Sequence, residues 1–283
     1  MKLIKSVMLT TLSAVFLIFT FSGAAYGITG NFQADSTPYV GVVVLFSDAA
    51  REVPVGYCTG FLISPTVMVT AGHSCIGVAA VSVCFDQGPI IYTIKDGKII
   101  YSTNEPIYSG IPTAYPEYLQ GLIAGNKALE SSDVGVIILD EPVTSVTTYA
   151  TLPPTGIVDE LPVKTSLKVI GYGVQHQTTP KNSGSENSWV GYVTRNSAKV
   201  NLLSRNFAEN EIYIKCSANS AQNKGGVAYG DSGGPVIYTT STGQETVIAI
   251  NAYVSNANCA GVTYHTRIDN QLILSWIKGF LNP

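Results

Sequence analysis

Gly230-Asp231-Ser232-Gly233-Gly234-Pro235 is the stretch on which the reading of this chain turns. A serine between glycines, just after an aspartate and just before a Gly-Gly-Pro turn, presents its hydroxyl on a tight loop whose backbone N–H groups converge on one point. That is the geometry of an activated nucleophile beside an oxyanion hole. The same string also suits a plain glycine-rich hairpin turn, so the rest of the chain must supply a base and an acid.

The base candidate is His73. The apolar run Val67-Met68-Val69-Thr70 leads into the small residues Ala71-Gly72 and ends on this imidazole. A disulfide between Cys58 and Cys75 would tie that turn to the start of the preceding hairpin and hold the base in place. The acid candidate is Asp133, which follows Ser131-Ser132 and opens the aliphatic run Val134 to Leu139, so its carboxylate lies at the lip of a buried element. Asp140 closes the same run, but Glu141-Pro142 after it mark an exposed end and make it the weaker candidate.

Composition limits the classes of function. The chain has 283 residues, 46% hydrophobic and only 12% charged, enough apolar material for one large or two small cores. A net charge of −3 with no long basic or acidic run argues against nucleic acid or an anionic membrane as an obligate partner. Residues 1–27 read as a secretory signal: Lys2 and Lys5, an apolar run from Val7 to Phe21, then small residues from Ser22 to Gly27. Export places five cysteines in an oxidising compartment, where four can pair and one is left over. His73, His176 and His265 are too scattered for a metal cluster, so no metal and no cofactor are expected.

Short β-type runs recur along the chain. Tyr39 to Phe46, Phe61 to Ile63, Val67 to Thr70, Val78 to Phe85, Ile90 to Ile94, Ile99 to Ser102 and Val134 to Leu139 fill the first half. Residues 140–164, rich in Pro, Thr and Val, read as a connection. A second set follows at Leu167 to Gly171, Trp189 to Thr194, Glu211 to Cys216, Pro235 to Tyr238, Val247 to Tyr253 and Val262 to Arg267. The expected fold is all-β, two antiparallel six-stranded barrels, with a single continuous sandwich as the alternative. At the end, Asp269 is placed to cap an amphipathic helix over about 269–281 that packs on the barrels.

These residues together resemble the trypsin/chymotrypsin-like serine protease family. Thr70-Ala71-Gly72-His73 is similar to its Thr-Ala-Ala-His, Asp133 to Leu139 to its Asp-Ile-Ala-Leu-Leu strand, Gly171-Tyr172-Gly173 to its Gly-Trp-Gly turn, and Gly230 to Pro235 matches its Gly-Asp-Ser-Gly-Gly-Pro. The resemblance implies a protease domain over 28–283, with one barrel at about 28–145 and the other at about 160–268. It implies a secreted, extracellular endopeptidase in which Ser232 attacks, His73 moves the proton, Asp133 orients the imidazole, and the Gly230 and Ser232 amides bind the oxyanion. The implied partners are peptide or protein substrates and protein inhibitors, with no nucleic acid, no membrane after signal removal, and a monomeric chain. The competing class is a catalytically silent binding protein on the same fold. An α/β-hydrolase esterase would need the order Ser, Asp, His, whereas the order here is His, Asp, Ser.

The resemblance carries further expectations and some departures. A newly cut Ile28 amine would pair with Asp231, and Ala25-Tyr26-Gly27 is a cleavage site that export alone could use. The alternative is cleavage after Ala24 or Ala25, which leaves Ile28 merely apolar. The position that sets primary specificity in the family falls on Gly226, beside Val227, which points to an uncharged pocket for apolar or small side chains. His265 is placed either to recognise an acidic side chain or as a plain surface histidine. A usual family cysteine is replaced by Ala228, which leaves Cys216 and Cys259 to bridge each other. Cys84 is expected to be a free buried thiol, with an intermolecular disulfide as its alternative. The stretch Gly77 to Ser132 is longer than in compact members, and Tyr101 to Tyr118 reads as an elaborated surface loop.

Overall fold

The computed structural model describes residues 28–90, 92–95, 98–178, 188–190, 193–206, 212–218 and 222–281, with backbone alone at 92–95, 98–100, 176–178 and 188–190. The expected secretory signal lies outside the described residues, and so does the His176 side chain.

Six strands make the first barrel: β1 (Val40–Phe46), β2 (Pro54–Leu62), β3 (Val67–Thr70), β4 (Ala80–Cys84), β5 (Ile107–Ala114) and β6 (Gly135–Leu139). Their order around the barrel is β6-β3-β2-β1-β4-β5, closed by pairing of β5 with β6. Six more make the second: β7 (Ser166–Gly171), β8 (Asn196–Ser204), β9 (Tyr213–Ala218), β10 (Pro235–Thr239), β11 (Glu245–Val254) and β12 (Gly261–Arg267). Their order is β7-β10-β11-β12-β9-β8, closed by pairing of β7 with β8. Numbered within each half, both barrels run 1-4-5-6-3-2, so the same antiparallel topology occurs twice. Closure pairs the first and last strands of each six-stranded set, so none of these twelve strands is left as a sheet edge.

The turns are written locally. Between β2 and β3, Ser64 Oγ accepts the Val67 N–H at 3.1 Å, and Ile63 N–H donates to Val67 O at 2.9 Å. This Ser-Pro-Thr turn fixes the register that leaves all four residues of β3 buried. One apolar cluster joins the barrels: Val40, Val42 and Val69 of the first pack with Ile170, Ile237 and Ile250 of the second, and Ile273 and Ile277 of the terminal helix close it. At about 1.5–3 kcal/mol for each fully buried aliphatic side chain, this shared cluster is a large part of what holds the cleft between barrels at one width.

Several expectations need correction. The run Ile99 to Ser102 is no barrel strand; Tyr92–Lys95 and Lys98–Tyr101 pair only with each other. The strand in its place is β5, inside the stretch read as a surface loop. The rest of that stretch opens helix α1 (Pro116–Ala124), with Pro116 in its first turn and Gly125 at φ 62° ending it; α2 (Lys127–Glu130) is capped by Asn126. In the second half, the run expected at Trp189 to Thr194 gives, among the described residues, the short pairing of Ser188–Val190 with His176–Thr178 and a single bridge from Val193 to Ile90, and the barrel strand is β8. The segment Thr29–Gly30 pairs with Gly225–Gly226, and Phe32–Ala34 adds to β8, so these residues join the second barrel. A short helix, α3 (Ile157–Glu160), lies in the connection, and α4 (Gln271–Gly279) is the terminal helix. The cap of α4 is Asn270, whose Oδ1 accepts the Leu272 and Ile273 amides. Asp269 is fully buried instead, bound by Arg267 Nε at 2.8 Å and by the Val158 N–H at 2.9 Å.

Candidate active site

The pairing of β6 with β3 brings the base and the acid together. Gly135 is opposite Thr70, so the residues just before β6 and just after β3 share one end of the barrel. His73 opens a 3-10 turn there, and its main-chain N–H donates to Asp133 Oδ1 at 2.7 Å. Its ring Nδ1 is 2.7 Å from Asp133 Oδ2. One carboxylate therefore grips both the backbone and the ring of the same histidine, which leaves Nε2 as the outward-facing nitrogen. The Asp133 side chain is 6% exposed and that of His73 38%. Burial pulls the imidazole pKa down, but the Asp133 charge and hydrogen bond outweigh it, so the net shift is upward from the usual 6.5.

Ser232 arrives from the other barrel, in the loop before β10, and the first barrel holds that loop. Thr59 of β2 donates its N–H to Ser232 O at 2.8 Å and its hydroxyl to Gly230 O at 2.9 Å, while accepting the Tyr172 N–H at 3.1 Å. Gly233, at φ 83°, lies so close to the first barrel that a Cβ would stand 2.2 Å from Thr70 Oγ1 and 2.3 Å from Thr59 O. Glycine here lets the nucleophile loop dock directly on β2 and β3. Gly230, at φ 96°, is equally constrained: a Cβ would meet Tyr57 Cε2 at 2.6 Å and Gly173 Cα at 2.9 Å.

His73 and Ser232 line one cavity of about 410 Å³. No hydrogen bond joins their side chains in this structure. Neither the Gly230 N–H nor the Ser232 N–H donates to a protein acceptor among the described residues. Two unengaged amides on one tight loop, beside a histidine already oriented by a carboxylate, can receive an anionic oxygen.

One family comparison covers most of the chain. The sequence description of the trypsin family fits residues 29–277. The chain belongs to the trypsin family. Among solved structures, an HL collagenase is similar in fold, with a TM-score of 0.63 over 92% of this chain and 98% of that one, at 15% identity. No curated protein sequence matches significantly.

Asp231, next to the nucleophile, is fully buried. Its Oδ1 accepts the Gly173 N–H at 2.7 Å and its Oδ2 the Ala228 N–H at 2.8 Å, and no cationic side chain pairs with it among the described residues. Burial pushes its carboxyl up to about 7. Ile28 is also fully buried, at φ 70°, in the cluster that includes Val227.

The remaining expected site residues fall out unevenly. Val227 lines the cavity with Ala228, Tyr229, Asn251, Ala252 and Val254, but Gly226 does not: it pairs with Thr29 and lies against Ala218, whose Cβ is 2.5 Å from where its own would be. His265 neither lines the cavity nor reaches the surface. It is fully buried, between Thr263 Oγ1 (2.8 Å from Nε2) and Asn251 Oδ1 (3.1 Å from Nδ1).

All five cysteines are free and buried in this chain, so neither expected disulfide is formed. The reason at the first pair is register. Cys75 comes two residues after His73, and its Sγ turns to Ala71 O and Gly135, while Ser74 takes the side facing Cys58. At the second pair, Cys216 is inside the second barrel's core, whereas the Cys259 thiol accepts the Tyr229 N–H outside it.

Thr59 and Asn251 were not singled out by sequence. Thr59 carries no local signal. Asn251 does, since an amide inside the buried run Val247 to Tyr253 must find partners for every polar atom.

Proposed function

We propose that this member of the trypsin family is a secreted serine endopeptidase that works through an acyl-enzyme. Ser232 Oγ attacks the carbonyl carbon of the scissile bond while His73 Nε2 takes its proton. The tetrahedral oxyanion is held by the Gly230 and Ser232 N–H groups. His73 then delivers the proton to the leaving amine, and a water repeats the sequence to free the acid. Asp133 keeps the imidazole in the tautomer with Nδ1 protonated and stabilises the imidazolium that forms.

The observation that carries this reading is the single cavity on which His73, gripped twice by Asp133, and Ser232 both open, with the two loop amides unengaged. The lining supports a preference for apolar or small uncharged residues before the cut. Among the described residues the lining holds, apart from His73, no ionisable side chain but Tyr229 and Tyr253, so Arg and Lys have no anion to meet there. Activation by an Ile28 amine is supported by the buried Asp231 carboxyl, which lacks a cation, and by Ile28 lying fully buried beside Val227. Such cleavage would follow export, and peptides, proteins and protein inhibitors would be the partners of a monomeric enzyme.

The test compares the parent with Ser232→Ala on a panel of peptides that differ only in the residue before the cut. Turnover of uncharged members, abolished by Ser232→Ala, is expected. Turnover that survives the substitution would remove Ser232 from its role, and a strong Arg or Lys preference would overturn the pocket reading.

A further inference from the structure

An oxyanion hole needs its two amides aimed. In a planar trans peptide the C=O and the N–H that follows it point in opposite directions, so gripping the carbonyl aims the amide. For Gly230 the grip is simple: the carbonyl of the same peptide unit, Tyr229 O, accepts the Val174 N–H at 2.8 Å.

The Asp231–Ser232 peptide is held by a longer chain of bonds. Asp231 O accepts the Gly234 N–H at 3.0 Å and, from across the sheet, Asn251 Nδ2 at 3.1 Å. The second hydrogen of that amide goes to Ile170 O at 3.0 Å. Asn251 is itself strapped to the loop through its backbone, with its N–H on Gly234 O and its O on the Gly233 N–H, both at 2.8 Å.

The orientation of the Asn251 amide is then forced. Ile170 O and Asp231 O can only accept, so Nδ2 must face them and Oδ1 must face His265. His265 stands opposite Asn251 in the β11–β12 register and is fully buried. Burial drops its imidazole to about 3, so it is neutral at working pH and carries one N–H. That hydrogen must be on Nδ1 to donate to Asn251 Oδ1, which leaves Nε2 to accept the Thr263 hydroxyl. Every donor and acceptor from Thr263 to Asp231 O is fixed by its neighbour.

We propose that Thr263, His265 and Asn251 form a positioning relay that aims the Ser232 N–H into the oxyanion hole by holding the carbonyl of its own peptide unit. The relay rests on the reading of Ser232 as nucleophile. None of the three residues exchanges a proton with substrate. Their effect falls on the stabilisation of the oxyanion, and so on kcat and not on KM.

The test uses the mature chain and a peptide anilide. Asn251→Val keeps a strand-forming side chain but removes the donor to Asp231 O. His265→Leu removes the donor to Asn251, and His265→Asn puts an amide hydrogen back at the position of Nδ1. Asn251→Val and His265→Leu are expected to lower kcat about ten- to hundredfold, below the roughly 10²–10³ of losing an oxyanion donor outright, with KM within threefold. His265→Asn should recover most of the loss. If His265→Leu does not fold, Thr263→Val, which exchanges the hydroxyl for a methyl of similar size, should show a smaller drop of the same kind.

Affinity for a peptidyl trifluoromethyl ketone, which forms a tetrahedral adduct, should fall in parallel with kcat, while affinity for the product peptide should hold. An active parent whose Asn251→Val variant keeps kcat within twofold would overturn the relay and leave the nucleophile assignment standing. So would equal losses in His265→Leu and His265→Asn. A parent that turns over no peptide would overturn both.

Discussion

Asp231 gives the sharpest quantitative prediction. In a chain whose Ile28 nitrogen is still an amide, its carboxyl is pushed from 3.8 up to about 7 by burial, with only the Gly173 and Ala228 amides opposing. Between those two values the folded chain keeps a proton that the unfolded chain has lost, so stability falls as pH rises. The difference is about 3 pH units, and at 1.36 kcal/mol per unit the fall is about 4 kcal/mol, absent below about pH 4 and complete above about pH 7. A free Ile28 ammonium beside the carboxylate would offset most of that loss until the amine itself deprotonates, near pH 8 in its unperturbed state. The assay is urea unfolding from pH 4 to 8 in a Ser232→Ala background, which prevents self-digestion, on chains that start at Ala25 or at Ile28. The Ala25 chain should lose about 4 kcal/mol relative to its own Asp231→Asn variant, and the Ile28 chain much less. Parallel pH profiles for the Ala25 chain with and without Asp231→Asn would refute the reasoning about burial. Equal losses from the two start sites would refute the pairing.

Two further outcomes follow from the site. Because the Asp133 interaction outweighs burial and raises the His73 pKa, kcat/KM should rise with pH along a limb whose midpoint lies above 6.5, and Asp133→Asn should abolish that limb's upward displacement along with most of the activity; a pH–rate profile on a peptide anilide checks both. Gly233→Ala forces a Cβ against Thr70 Oγ1 and Thr59 O at a positive φ. Strain of about 1–2 kcal/mol from the dihedral alone, plus separation of the loop from the first barrel, should lower the unfolding midpoint and cut kcat, as urea titration and steady-state kinetics would report.

The site was more legible in the sequence than the fold's detail. His73, Asp133 and Ser232 each follow or precede a strand with a strong apolar signature, so their local context was readable one segment at a time. Strands β5 and β8 were not, because Ile107–Ala114 and Asn196–Ser204 mix buried residues with Ser, Thr, Pro, Asn and Lys and lack clean alternation. Helix α1 did carry its punctuation in Pro116 and Gly125, which a reading that treated Pro and Gly only as loop markers passes over. A count of cysteines does not reveal why the expected disulfides are not formed: the Cys75 thiol turns to Ala71 O while Ser74 meets Cys58, and Cys216 is in the second core while the Cys259 thiol meets the Tyr229 N–H. His265 has the same lesson, since a histidine in an alternating strand reads as exposed until the register sets it opposite Asn251.

The central claim is that Ser232 is an activated nucleophile, and reaction of the mature protein with a fluorophosphonate, followed by peptide mass mapping, tests it most directly. The account predicts a single adduct on the peptide containing Ser232, abolished by Ser232→Ala and slowed by several orders of magnitude in His73→Ala. No adduct, or one that persists in Ser232→Ala, would contradict it.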